Sequence, residues 1–164
     1  MSETVTEDIL IDLLKKKKFY SNKEILVERK NTKDNRIKKI LEFASKSGEG
    51  AGYPDFIITF KKYPDFLILI EAKSDIKKHE SVNRDKFKDY AVDGALLYSS
   101  YASRQMDVLS IAVSGQKKNM LRISHFLQVQ GNDVVDLEIN KILNPDEYYN
   151  KYIFLEKKEK NEFN

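Results

Sequence analysis

The chain has 164 residues, 41% of them hydrophobic and 34% charged, which is the length of one domain with enough apolar content to bury a core. Its net charge of +3 is too small to identify a nucleic-acid partner by itself. It has no cysteine, which excludes disulfides and thiolate metal sites; no run approaches a membrane span and the start lacks a basic-then-apolar signal pattern, so the cytoplasm is the expected compartment.

A first helix is predicted over residues 5–19, with Ile9, Leu10, Leu13 and Leu14 on one face and a capping-box pattern, Thr4-x-x-Glu7, at its start. The basic run Lys15 to Lys18 suits the negative end of that helix. A short strand is predicted over 24–28. Residues 34–45 read as a second helix, with Ile37, Ile40, Leu41 and Ala44 spaced for burial. Gly48, Gly50 and Gly52 then force a loop.

Two strand-like runs follow, residues 56–60 and 66–70, joined by a hairpin connection over 61–65. Residues 77–83 read as polar and irregular, and 83–101 as a long helix that tolerates Gly94. Strands are predicted over 108–113 and 120–129, and Pro145 opens a last helix. The expected organisation is a single domain over 1–155 with a charged, frayed tail over 156–164. With one helix, two strands, a helix and further strands, the expected class is α/β: a mixed β-sheet core flanked by helices rather than a doubly wound fold.

Each of the two apolar runs carries an acidic residue at one end, Asp55 and Glu71, and the second adds Lys73. Successive strand side chains point to opposite faces, so Glu71 and Lys73 share a face while Ala72 turns away. If the runs pair, Asp55 and Glu71 meet around a divalent cation with Lys73 beside them. Mg²⁺, for which Mn²⁺ can substitute, takes oxygen ligands: the two carboxylates, the Ala72 carbonyl, water and substrate phosphate. The bare triplet is cheap in a chain this charged. Glu156-Lys157-Lys158 supplies a second one behind Asp146, but no turn between two strands separates those residues. The bland alternatives are a polar residue opening a strand, a solvated strand end, and Lys73 as a salt-bridge partner for Glu71.

Pro54-Asp55, a spacer and Glu71-Ala72-Lys73 resemble the signature of the PD-(D/E)XK nuclease superfamily. The segments Ala44-Ser45-Lys46-Ser47-Gly48, Gly52 to Phe56, Lys78-His79-Glu80-Ser81 and Tyr90 to Tyr98 are similar to endonuclease domains of bacterial restriction-modification proteins. The resemblance spans roughly residues 4–115. It implies a restriction-endonuclease-like fold and Mg²⁺-dependent hydrolysis of double-stranded DNA. It also implies a place in a longer chain or assembly with methyltransferase, helicase or specificity domains. Asp55, Glu71 and Lys73 are the implied catalytic residues. A glutamate on the first helix often joins them; Glu7 is the first choice, with the capping box as its structural alternative and Glu28 in reserve. Lys86-x-x-x-Tyr90 stands where related nucleases carry a Gln-x-x-x-Tyr helix motif, and phosphate contact is the natural role of that lysine.

Lys77, Lys78, Arg84, Lys86 and Lys88 are further candidates for phosphate contact, which positions a duplex without reading its sequence. Interspersed Glu80, Asp85 and Asp89 fit an ordinary solvated helix face equally. His79 reads as a surface residue in a polar loop, and His125 as structural. The expected function is a restriction-type endodeoxyribonuclease. The alternatives are a junction-resolving or repair nuclease of the same superfamily and a non-catalytic DNA-binding or scaffolding module.

Overall fold

The computed structural model describes residues 4–162. Its centre is one six-stranded sheet, in the order β1 (Ile25–Glu28), β2 (Phe56–Phe60), β3 (Tyr63–Lys73), β4 (Asp107–Ser114), β5 (Arg122–Gln128) and β6 (Val135–Leu137). All neighbours are antiparallel except β3 and β4, which run parallel. Parallel neighbours need a crossover, and helix α3 (Ala91–Ala102) supplies it. The mixed α/β class with a sheet flanked by helices is therefore the observed one.

β3 and β4 read as nearly continuous apolar runs because both sheet faces are covered. Phe56, Ile58, Ile68, Ile70 and Ile111 pack on one face under α1 (Thr4–Lys16) and α4 (Pro145–Glu162). Ile57, Leu67, Leu69 and Val108 pack on the other, under α2 (Asn35–Ile40) and α3. On this second face the core residues of β3 are odd-numbered, so Glu71 and Lys73 leave the sheet on the α2/α3 side.

Several predicted boundaries shift. Helix α1 stops at Lys16 because Lys18 adopts φ +69° and the Phe19 N–H returns to the Leu14 carbonyl at 3.0 Å, which turns Phe19 into the core. Asp34 caps α2 by accepting from the N–H groups of Arg36 and Ile37, and the helix ends at Ile40 rather than at residue 45. The hairpin turn is only Lys61-Lys62; Tyr63 already pairs with Phe60, so Pro64 and Asp65 belong to β3. Helix α3 begins at Ala91, and residues 83–90 are turns rather than helix. The three-residue β6 was not expected.

Helix α4 opens on Pro145, with Asn144 and Glu147 exchanging backbone-to-side-chain hydrogen bonds as a capping box (2.9 and 3.2 Å). It runs to Glu162 and so takes in most of the stretch expected to fray; Phe163 and Asn164 lie outside the described residues. Asp146 and the second Glu-x-Lys triplet fall on this helix, not on paired strands. No helix among the described residues is long and apolar enough to cross a membrane.

Candidate active site

The β2–β3 register, Phe56 opposite Ile70, continues by one residue to place Asp55 opposite Glu71. There the ladder changes character, because β3 outruns β2. The Asp55 N–H donates to Glu71 Oε1 at 3.1 Å, and the Ala72 N–H donates to Asp55 Oδ2 at 2.8 Å. Two carboxylates thus replace two carbonyls at the end of a hairpin: Glu71 is fixed by the backbone of Asp55, and Asp55 by the backbone of Ala72, the residue after Glu71. A strand residue's N–H and C=O point the same way, so the Ala72 carbonyl faces Asp55 as well. Two of the four carboxylate oxygens are committed by these bonds.

Glu7 reaches the same end of the sheet from the opposite face. The Thr6 hydroxyl donates to the Gly115 carbonyl at 2.6 Å, pinning the start of α1 to the residue that follows β4. Glu7 is buried there, with Arg29 3.2 Å and Lys30 3.6 Å from Oε1, and its charge is felt at Asp55. Lys73 is half-buried and its ammonium donates to the Lys88 carbonyl at 2.7 Å.

Lys46, from the glycine-rich loop, completes the cluster: its Nζ lies 2.5 Å from Glu71 Oε2 and 5.7 Å from the centre of the Tyr98 ring. The approach is an ion pair in distance but not an aligned hydrogen bond, so Glu71 Oε2, like Glu7 Oε1, is buried without a hydrogen-bond partner. Sequence reasoning missed Lys46 as a site residue. Its only signal was its place in the segment leading to Gly52 and Asp55.

Burial dominates the electrostatics. It pushes the Glu71 carboxyl up to about 7, with the charge of Asp55 adding to the rise and Lys46 opposing it. Asp55 is also raised, first by burial and then by Glu7. Burial pulls Lys46 down, yet the carboxylates of Glu71 and Asp55 outweigh it and leave its pKa raised. Lys46 gains from Glu71, whereas Glu71 is not fully compensated by Lys46.

Among the described residues, no group of three His, Cys, Asp or Glu side chains stands close enough to cage a metal. The donor set fits a narrower demand. Two adjacent carboxylates, one with a buried oxygen held only by an ion pair, and a carbonyl facing them, suit a hard cation that completes its shell with water and substrate phosphate.

The residues proposed for phosphate contact divide. Lys77, Lys78, Lys86 and Lys88 are exposed, and Lys78 Nζ sits 5.0 Å over the half-buried Tyr90 ring. Lys86 and Tyr90 are not on a helix as expected; a single turn joins them, with the Tyr90 N–H donating to the Lys86 carbonyl at 3.2 Å. Arg84 is engaged with Glu80 and Asp136, both at 2.9 Å, and lies over Phe126, so it ties the turn to β6.

The polar loop is fastened from beneath. Buried Asp93 accepts from the Ser81 N–H and hydroxyl and from the Lys86 N–H. His79 is not a surface residue: it is 1% exposed, with the Ser114 and Ser124 hydroxyls at 2.7 and 2.8 Å from its ring nitrogens. Its partners come from β4 and β5, which no local reading of the loop could supply. His125 is structural, bonded to the Ile139 carbonyl and the Tyr148 hydroxyl.

A cleft of about 260 Å³ lined by Lys30, Thr32, Lys38, Gly52 and Tyr53 lies beside the Asp55 end. Neither that cleft nor the larger hollows, one lined by Ser74, Ile76, Gly115 and Met120 and one by residues of α4 and the segment before it, is lined by Asp55 or Glu71. No family model matches the chain, and neither a search of curated proteins nor one of solved structures gives a match.

Proposed function

We propose that this chain is a Mg²⁺-dependent endonuclease domain that cuts double-stranded DNA, of the restriction-modification kind its motifs resemble, acting in the cytoplasm with methyltransferase, helicase or specificity partners. The observation that carries this reading is the cross-strand bonding at the end of β2 and β3, where the Asp55 N–H holds the Glu71 carboxylate and the Ala72 N–H holds that of Asp55. It fixes two carboxylates side by side on rigid strands rather than on loops, with a buried Glu71 oxygen whose one partner is the Lys46 ammonium.

Each residue then has a task. Asp55 and Glu71 would hold the cation, with the Ala72 carbonyl as a third oxygen. When bound, Mg²⁺ supplies charge that polarises the scissile phosphate and acidifies a water. Lys73, held near the site by the Lys88 carbonyl, neutralises charge developing on the phosphate or orients the attacking water. Glu7 acts on Asp55 through its charge. Lys77, Lys78, Lys86 and Lys88 form an exposed basic border past the end of β3, suited to a phosphate backbone.

The test is plasmid nicking in Mg²⁺ by wild type, Asp55→Ala and Lys73→Ala. Nicking by wild type alone, with Lys73→Ala folded and inactive, is the expected result. Cutting by both variants at the wild-type rate would remove the assignment.

A further inference from the structure

We propose that Lys46 is a displaceable counter-ion of the candidate metal site: it neutralises Glu71 before the divalent cation arrives and surrenders that carboxylate oxygen when the cation binds. The inference rests on the reading of Asp55 and Glu71 as metal ligands and adds to it a residue that the signature does not include.

Four features of the contact support exchange over a permanent bond. Lys46 Nζ is 2.5 Å from Glu71 Oε2, yet that oxygen receives no aligned hydrogen bond. A buried ion pair meant to last is held by aligned, charge-assisted hydrogen bonds that repay its desolvation. The two partners differ in access: the Glu71 side chain is 1% exposed and that of Lys46 is 21%, so water reaches part of the lysine and almost none of the carboxylate.

The backbone that carries Lys46 is a glycine-rich loop closed by the Ser45 N–H on the Gly50 carbonyl (3.2 Å) and the Gly48 N–H on the Ser45 carbonyl (3.0 Å), so the lysine leaves through its own side-chain torsions. Gly48 and Gly50 adopt φ +87° and +89°, with open space where a Cβ would stand, while the Gly52 N–H anchors the far end on the Leu41 carbonyl at 2.8 Å. Helix α3 in turn leaves room for the pair. A Cβ on Gly94 would come within 3.2 Å of Glu71 Oε2 and 3.3 Å of Lys46 Cε, so bare backbone is presented where the lysine stem passes. A cation at Glu71 and an ammonium 2.5 Å from the same oxygen repel strongly in so dry a place. One has to leave, and only Lys46 has a route.

The experiment is Mn²⁺ binding by titration calorimetry, without DNA, on wild type, Lys46→Met and Lys46→Arg, with thermal unfolding as the control for fold. Removing the competing charge should tighten Mn²⁺ binding in Lys46→Met by at least about tenfold, whereas Lys46→Arg stays near wild type. In wild type, NMR of the Lys46 side chain should shift to the position of a solvated lysine when Mg²⁺ is added. Mn²⁺ affinity unchanged or weakened in Lys46→Met, or a Lys46 resonance that does not move while metal binds, would overturn the exchange. If neither wild type nor Lys46→Met binds metal, the metal-site reading itself fails and the exchange falls with it.

Discussion

Glu71→Gln should make the protein more stable at pH 8 while removing its proposed activity. Glu71 is fully buried and keeps its proton in the fold up to about pH 7, whereas in an open chain it ionises near 4.5. The folded state therefore binds more protons than the unfolded one between those values. Its stability from this group is complete below pH 4.5 and is lost as pH rises through 7. That interval corresponds to about 3 kcal/mol at pH 8, an upper bound because the opened chain is not fully solvated. Glutamine has the shape of the protonated acid, and Lys46 can turn to water once its partner is neutral, so a gain of about 1–3 kcal/mol is expected. Urea unfolding of both proteins at pH 8 and pH 4.5 measures it. The difference should be present at pH 8 and close to nothing at pH 4.5. A variant less stable at pH 8, or a gain equal at both values, would refute the claim that burial of the Glu71 charge strains the site. A strained, functional carboxylate is an ordinary source of conflict between stability and activity.

Asp93→Ala removes the acceptor for three donors of the 78–90 segment; unfolding measurements should show a loss of about 2–4 kcal/mol, with faster amide exchange at Ser81 and Lys86. Gly52→Ala would set a Cβ 2.5 Å from the Tyr98 ring and 2.7 Å from the Ala44 carbonyl, which is backbone and cannot swing aside, so a loss of about 1–3 kcal/mol is expected in the same assay. Burial lowers His79 and His125 to about 4, against 6.5 in an open chain. The unfolded state thus binds more protons between pH 6.5 and 4, and stability falls as pH drops across that window, by up to about 3 kcal/mol for each histidine. Measuring it in Glu71→Gln removes the opposing titration, and a flat profile there would contradict the buried, neutral assignment.

The central strands were legible because their apolar runs are long, and Gly-rich and Lys-rich breaks punctuate them. The β2–β3 hairpin followed, and with it the meeting of Asp55 and Glu71. Residues 83–90 carry helix-forming side chains but not helix: the Lys86 N–H turns to the buried Asp93 carboxylate, and the Asp89 and Tyr90 N–H groups close a single turn on the Lys86 carbonyl. This competition between a buried side chain and the backbone has no periodic signature. His79 sits in a sequence that looks solvated, and only the Ser114 and Ser124 hydroxyls, supplied by distant strands, make its burial tolerable. Lys46 escaped for a similar reason, since its partner lies across the fold on β3. Strand β6 is three residues of mixed polarity and gives almost no pattern to read.

The central claim is that Asp55 and Glu71 together bind a divalent cation. Its most direct test is Mg²⁺ titration calorimetry on wild type and Asp55→Ala, both checked for fold by circular dichroism. The account predicts one binding event in wild type and none in Asp55→Ala. Equal Mg²⁺ affinity in the two proteins, or no binding in either, would contradict it.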